Sequence, residues 1–413
     1  MKLEIREPEV FGVTESSVTL SLTVHGATGP VDATVRLRVD GELRATSEGV
    51  AGTRLVRIDG LAAGTDHRID IEVDGADAPP RDRWFPERVT TLEAASAREV
   101  ASFATLNDLH FGEPRFGGTM LADGSYGPTA DGYPDVDESE SDVPYWLVMN
   151  EDAVADINAL RVGATIVKGD IADRGRTAQF EVARRTLDRL TAPWHAFLGN
   201  HDHYALVEGD EDGGEGVAVD GYGLLGQPTA PRTLDLGGWR LVLLDTVLPG
   251  HHHGVLPLER RAWLERSLEE SRAANVPTLV FMHHQPVPPE RRHTYPNTIG
   301  VRPEDSVPFY ELIGRHPQVR AVLIGHTHRN RVRFHPAAGT TPFVEVNCVK
   351  DYPGGFAHYR LFEDGHFRQE VKRTSSGRAL AHSTRCRGFF AGGYRTFALG
   401  SLAERSFVSP AAK

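Results

Sequence analysis

Hydrophobic and polar positions alternate in two different ways along this 413-residue chain. Up to about residue 93, short runs of alternating apolar and polar side chains, as at 17–24 and 34–39, are separated by Gly-rich turns. A period of two marks strands buried on one face, so this part predicts an all-β sandwich. A Pro-, Arg- and Ala-containing connector at 78–98 follows, and the pattern then changes. Apolar strand candidates at 100–106, 164–167, 194–198, 239–244, 278–282 and 319–324 alternate with helical patterns at 152–161, 178–190 and 258–273. Apolar positions three and four apart give each of those helices one stripe to bury.

The expected fold class is therefore α/β in an α+β layered form, helices over sheet, preceded by a small all-β sandwich domain. The expected units are 1–95, 99–372 and a C-terminal extension at 373–413 that carries Phe389, Phe390, Tyr394 and Phe397 among glycines. The extension either packs back over the catalytic part or mediates contact between subunits, which leaves a homo-oligomer open. Two acidic, Gly-rich insertions at 113–143 and 208–220 read as surface loops or as a lid at the rim of a site.

Composition narrows the function classes. Hydrophobic residues at 40% and charged residues at 25% belong to a folded globular chain. A formal charge of −12 opposes stable binding to duplex nucleic acid or an acidic membrane, but a local cationic site can still hold a small anion. Cys348 and Cys386 make neither a disulfide framework nor a metal finger and read as structural thiols. The first ten residues are rich in charge, and no apolar run is long enough to cross a bilayer, so the expectation is a soluble, cytoplasmic protein.

The candidate chemistry lies where the strands end. The first catalytic strand runs into Asp108-Leu109-His110, and an i, i+2 pair on an extended chain points both side chains to one face. Later strands end in Gly169-Asp170, Gly199-Asn200-His201-Asp202, His283-His284 and Gly325-His326-Thr327-His328. Sites in open α/β sheets lie just beyond the carboxyl ends of the strands, so these distant motifs can meet. Imidazole, carboxylate and amide oxygen without thiolate suit Mn, Fe, Zn or Co. Seven such residues, Asp108, His110, Asp170, Asn200, His283, His326 and His328, exceed what one four-coordinate ion takes and suit two divalent or trivalent ions sharing a carboxylate. His284 is expected to point the other way on its strand, and the run His251-His252-His253 to be a solvated loop, with a lining of the site entrance as the alternative. Arg174 and Asn330 read equally well as substrate contacts or as structural partners.

As a set, these motifs over about 102–359 resemble the calcineurin-like metallophosphoesterase superfamily, whose fold is a β-sandwich flanked by helices. The resemblance implies that Asp108, His110 and His328 hold one ion, Asn200, His283 and His326 the other, and that Asp170 bridges them. It implies that His201 faces the substrate as hydrogen-bond donor or general acid, supported by Asp202, and that a metal-bridging hydroxide attacks phosphorus. Met282-His283-His284-Gln285-Pro286, Leu244-Asp245-Thr246 and the helix with Trp263-Leu264 are similar to class III cyclic nucleotide phosphodiesterases and related glycerophosphodiesterases. Gln285 departs from the His-His-Pro-Pro of that group. The 58–73 stretch, with Leu61, Gly64-Thr65, Ile69 and Ile71, resembles fibronectin type III domains, which implies a spacer or interaction module.

The expected activity is hydrolysis of a small phosphate ester, most of all a diester. Rival expectations are a phosphomonoesterase or nuclease of the same superfamily, and a binding protein with a vestigial metal site.

Overall fold

The alternating N-terminal runs form two antiparallel sheets. One pairs Glu4–Val13 with Ser17–Gly26, which also pairs with Gly29–Pro30 and Thr53–Asp59. The other has the order Glu42–Ser47, Val35–Val39, Asp66–Val73, Arg88–Thr90. Leu20, Leu22, Val35, Leu37, Ile58, Ile69 and Ile71 meet between them in one buried cluster. This computed structural model describes residues 2–117, 142–206, 216–288, 300–389 and 392–410, with the backbone alone at 119–120, 126–127 and 136–137. Most of the two acidic insertions, with the expectation of a lid, and Phe390 lie outside the described residues.

The second part is built on two six-stranded sheets. In the first, Trp194–Phe197, Ala164–Lys168 and Glu99–Leu106 run parallel, and Gly355–Phe362, Phe367–Arg373 and Ser406–Val408 continue it antiparallel. In the second, Trp239–Leu243, Thr278–Met282, Val319–Ile324 and Pro342–Glu345 are parallel, flanked by antiparallel Arg232–Leu236 and Arg331–Phe334.

Side chains alternate across each strand and so divide between layers. Phe103, Leu241, Leu279 and Leu323 face the core between the sheets. Ala104 and Leu106 pack with the helices Tyr145–Leu160 and Thr177–Leu187. Val242, Val280 and Val322 pack with Leu258–Ala273 and Pro303–Gly314. Helix, sheet, sheet and helix follow one another, and every parallel strand named here delivers its carboxyl end to one edge of this stack.

The stretch expected as an extension belongs to this architecture. Phe367–Arg373 runs across the expected boundary at 372, Ser406–Val408 adds a strand to its edge, and His382 of the helix Gly377–Cys386 stacks on Tyr145 with 4.7 Å between centroids. Among the described residues no helix is long and apolar enough to cross a membrane.

Candidate metal centre

The parallel strands place the candidate ligands. Leu106 leads through Asn107 to Asp108, Lys168 through Gly169 to Asp170, Met282 directly to His283, and Ile324 through Gly325 to His326. Each turn is tight: Asp108, His110, Asp170, His326 and His328 have φ of 54°, 44°, 50°, 63° and 50°. Left-handed backbone is uncommon outside glycine. These are five of the nine described non-glycine residues with positive φ. Two glycines allow the loops to touch, since a Cβ on Gly199 would sit 2.3 Å from Asp170 Oδ1 and one on Gly169 2.6 Å from His283 Nδ1.

The structure brings the seven candidates into one cluster, buried except at the partly exposed His328. Ligand atoms of Asp108, His110 and His328 lie within 4.8 Å of one another, as do those of Asp108, Asp170 and His283. Asp108 Oδ1 is 3.4 Å from His328 Nε2, and both its oxygens accept from the His326 backbone N–H at 3.1 and 3.0 Å. Asp170 Oδ2 is 3.2 Å from His283 Nε2 and 3.9 Å from His110 Nε2, so it stands between the two groups. Asn200 Oδ1 lies 3.1 Å from His283 Nε2, while its amide donates to Tyr204 Oη at 2.6 Å. The His326 ring is 5.1 Å from that of His283.

Electrostatics follow from this crowding. Burial alone would raise Asp108 and Asp170, but the charges of His328 and His283 hold both carboxyls well below the usual range. Burial favours neutral His283, yet the charge and hydrogen bond of Asp170 win and raise it to about 9. Burial, with the nearby charges of Lys350 and His201, pushes His110 down to about 3.

His201 lies at the rim, its side chain 27% exposed. Its backbone N–H donates to Asp170 Oδ1 at 2.9 Å, and Nδ1 meets the Asp173 carbonyl at 2.8 Å, which leaves Nε2 turned outward. Asp202 does not support it. The Asp202 carboxylate is buried and accepts from the backbone N–H groups of Ile171, Ala172 and Gly199 at 2.9, 2.7 and 2.8 Å, tying two site loops together. Its place in the chain, one residue beyond His201, faces it inward. Asp173 is the carboxylate beside the histidines, 3.2 Å from His110 Nδ1 and 3.7 Å from His201 Nδ1.

One further residue differs from expectation. His284 does not point away, because the strand ends at Met282 and a bend puts its ring 4.7 Å from His326. Its Nδ1 is bonded to Thr246 Oγ1 at 2.9 Å. His252, from the expected solvated run, is exposed but its Nδ1 is hydrogen-bonded to Tyr204 Oη. Asn330 is buried and bonds the backbone of Ala398, Leu399 and Asn347, a structural role. Arg174 pairs with Asp173 at 3.5 Å.

The donor set fits metal ions. His110 Nε2 is buried and has no hydrogen-bond partner, although Asp170, Asp108 and His328 surround it. An imidazole nitrogen left so costs free energy unless a cation takes its lone pair. Cys348 is close to His328, and burial and the charge of Asp351 push its thiol up to about 12; it is not one of the seven candidates.

Residues 102–330 match the family model for calcineurin-like phosphoesterases. A probable cyclic nucleotide phosphodiesterase of Synechococcus is 29% identical over 213 residues, 50% of this chain and 74% of that protein. A 3',5'-cyclic adenosine monophosphate phosphodiesterase of Pseudomonas aeruginosa is 29% identical over 226 residues, 52% and 75% of the two chains. A glycerophosphodiester phosphodiesterase of Enterobacter lignolyticus is 33% identical over 182 residues, 43% and 61% of the two chains.

Proposed function

The chain belongs to the calcineurin-like phosphoesterase family of dinuclear metal phosphoester hydrolases, and we propose that it hydrolyses a small phosphodiester of the cyclic nucleotide or glycerophosphodiester type. The observation that carries this proposal is the convergence of Asp108, His110, Asp170, Asn200, His283, His326 and His328 at one edge of the sheets, five of them in left-handed backbone. Asp108, His110 and His328 would hold one ion, Asn200, His283 and His326 the other, and Asp170, which reaches both groups, would be shared. The ions are Mn, Fe, Zn or Co, in keeping with a thiolate-free donor set. When bound, such a pair supplies a local positive charge and water acidified toward neutral pH, the two things phosphoester hydrolysis needs.

The chain's own groups do the rest. His201 keeps Nδ1 on the Asp173 carbonyl and presents Nε2 at the rim, where it can donate to a phosphate oxygen or to the departing alcohol. Asp202 and the glycines at 169 and 199 hold the loops at the separation this requires. Tyr204 Oη accepts from the Asn200 amide N–H and so turns the Asn200 oxygen inward. The protein works in the cytoplasm on a small anion and forms no stable nucleic-acid complex; two free, buried cysteines and a net charge of −12 are in keeping with that.

A substrate panel with manganese-loaded protein tests the proposal. The expected result is hydrolysis of 3',5'-cyclic nucleotides or glycerophosphodiesters, and of bis(p-nitrophenyl) phosphate. Turnover confined to phosphomonoesters or to single-stranded DNA would refute the diester assignment, and failure to hold two ions would refute the site.

A further inference from the structure

The geometry points to Asp351 as a positioning residue for the metal ligand His328, an inference that rests on the dinuclear proposal above. Asp351 lies outside every motif of the site. It follows the strand Pro342–Glu345, whose carboxyl end opens at the same edge as the others. Its side chain is fully buried, and its Oδ2 is 3.2 Å from Nδ1 of His328, on the far side of the ring from the nitrogen that faces Asp108.

The chemistry requires such a group. A histidine that offers Nε2 to an ion carries its proton on Nδ1, and a carboxylate there fixes the tautomer, locks the ring and raises the basicity of Nε2. His110 has the same arrangement with Asp173, at the same 3.2 Å. Both histidines of the Asp108 group are thus backed by a carboxylate.

The segment that carries Asp351 is held on every side. The Val349 N–H donates to the Asn107 carbonyl at 3.3 Å, beside Asp108. Lys350 is buried and ion-paired with Glu113 at 2.6 Å, and its carbonyl accepts from His382 at 2.8 Å. Tyr352 donates to Glu9 of the N-terminal sandwich at 2.8 Å. A buried carboxylate is costly to keep in place unless it is paired, and the pairing here is to the ligand itself.

The test uses the full-length protein and manganese(II) alone. Asp351→Asn keeps the shape and one acceptor oxygen but loses the charge; Asp351→Leu loses both. One of the two manganese equivalents is expected to bind about 10- to 100-fold more weakly in Asp351→Leu, with Asp351→Asn between it and wild type. Thermal unfolding of metal-free Asp351→Asn is expected to match metal-free wild type. In a His328→Gln background, Asp351→Asn is expected to cause no further loss, because its effect runs through that ring. Two equivalents bound at wild-type affinity by both variants, or full additivity with His328→Gln, would overturn the inference and leave the dinuclear proposal intact. Wild-type protein that holds fewer than two ions would instead bring down both.

Discussion

At the five candidate ligands with positive φ the chain holds a conformation that costs a non-glycine residue about 1–3 kcal/mol. The cost persists because the rest of the fold fixes those turns, and at His328 it can be separated from ligation. His328→Ala and His328→Gly both delete the imidazole, but only glycine relieves the backbone. In urea unfolding of metal-free protein the Gly variant is expected to be more stable than the Ala variant by about 1 kcal/mol; equal midpoints would show that the turn is unstrained. Ligation has its own readout. Asp170→Ala removes the carboxylate that stands between the two groups, so metal content and bis(p-nitrophenyl) phosphate turnover should collapse together, by orders of magnitude in rate. His201→Ala should lower turnover about 10²–10⁴-fold with both ions retained. Loss of an ion from that variant would make His201 a ligand.

Among the elements, those that carry the site were readable because parallel strands buried on both faces are short, mostly apolar runs, as in Ala164–Lys168 and Thr278–Met282. The ligands stood at their ends. Edge strands lack that signature: Arg232–Leu236 and Arg331–Phe334 are at most half-buried and are not among the strand candidates. The helix Pro303–Gly314 is hidden by Pro308 in its interior. Asp351 escaped for a related reason, since the strand before it has four residues and begins with proline. Had that strand been recognised, the rule that found Asp170 would have pointed to the loop containing Asp351. Asp173 and Asp202 could not be sorted by spacing, because each follows a candidate ligand within three residues and only the folded loops decide which faces inward. Two later elements carry a pH dependence. His358 on Gly355–Phe362 and His382 on Gly377–Cys386 are both pushed down to about 4 by burial, from an ordinary 6.5. Between those values the unfolded chain binds protons that the folded chain refuses, so stability is full above about 6.5 and falls as pH drops toward 4. His358→Gln should flatten the fall in urea midpoint across that window; an unchanged slope would assign the acid sensitivity to other groups.

Taken as a whole molecule, the N-terminal sandwich is stitched to the catalytic part through buried charge. Glu9, 2% exposed, accepts from Tyr352 Oη at 2.8 Å and pairs with Arg387 at 3.0 Å and Arg395 at 2.7 Å. Arg405, also buried, donates to the Val10 and Phe11 carbonyls at 2.8 Å. A spacer needs no such junction. Removing one partner from a buried ionic cluster leaves the others desolvated and costs about 3–5 kcal/mol, whereas a rim-exposed pair costs little. Glu9→Ala is therefore expected to lower the stability of the whole chain by an amount in that range, in a single unfolding transition shared by tryptophan fluorescence and far-ultraviolet circular dichroism. If the two signals separate, with only the β-rich part melting early, the sandwich is an independent module. Because Tyr352 adjoins Asp351, a common transition would also mean that the sandwich helps to fix the loop behind His328, and manganese retention by Glu9→Ala should then fall less than in Asp351→Leu but measurably below wild type.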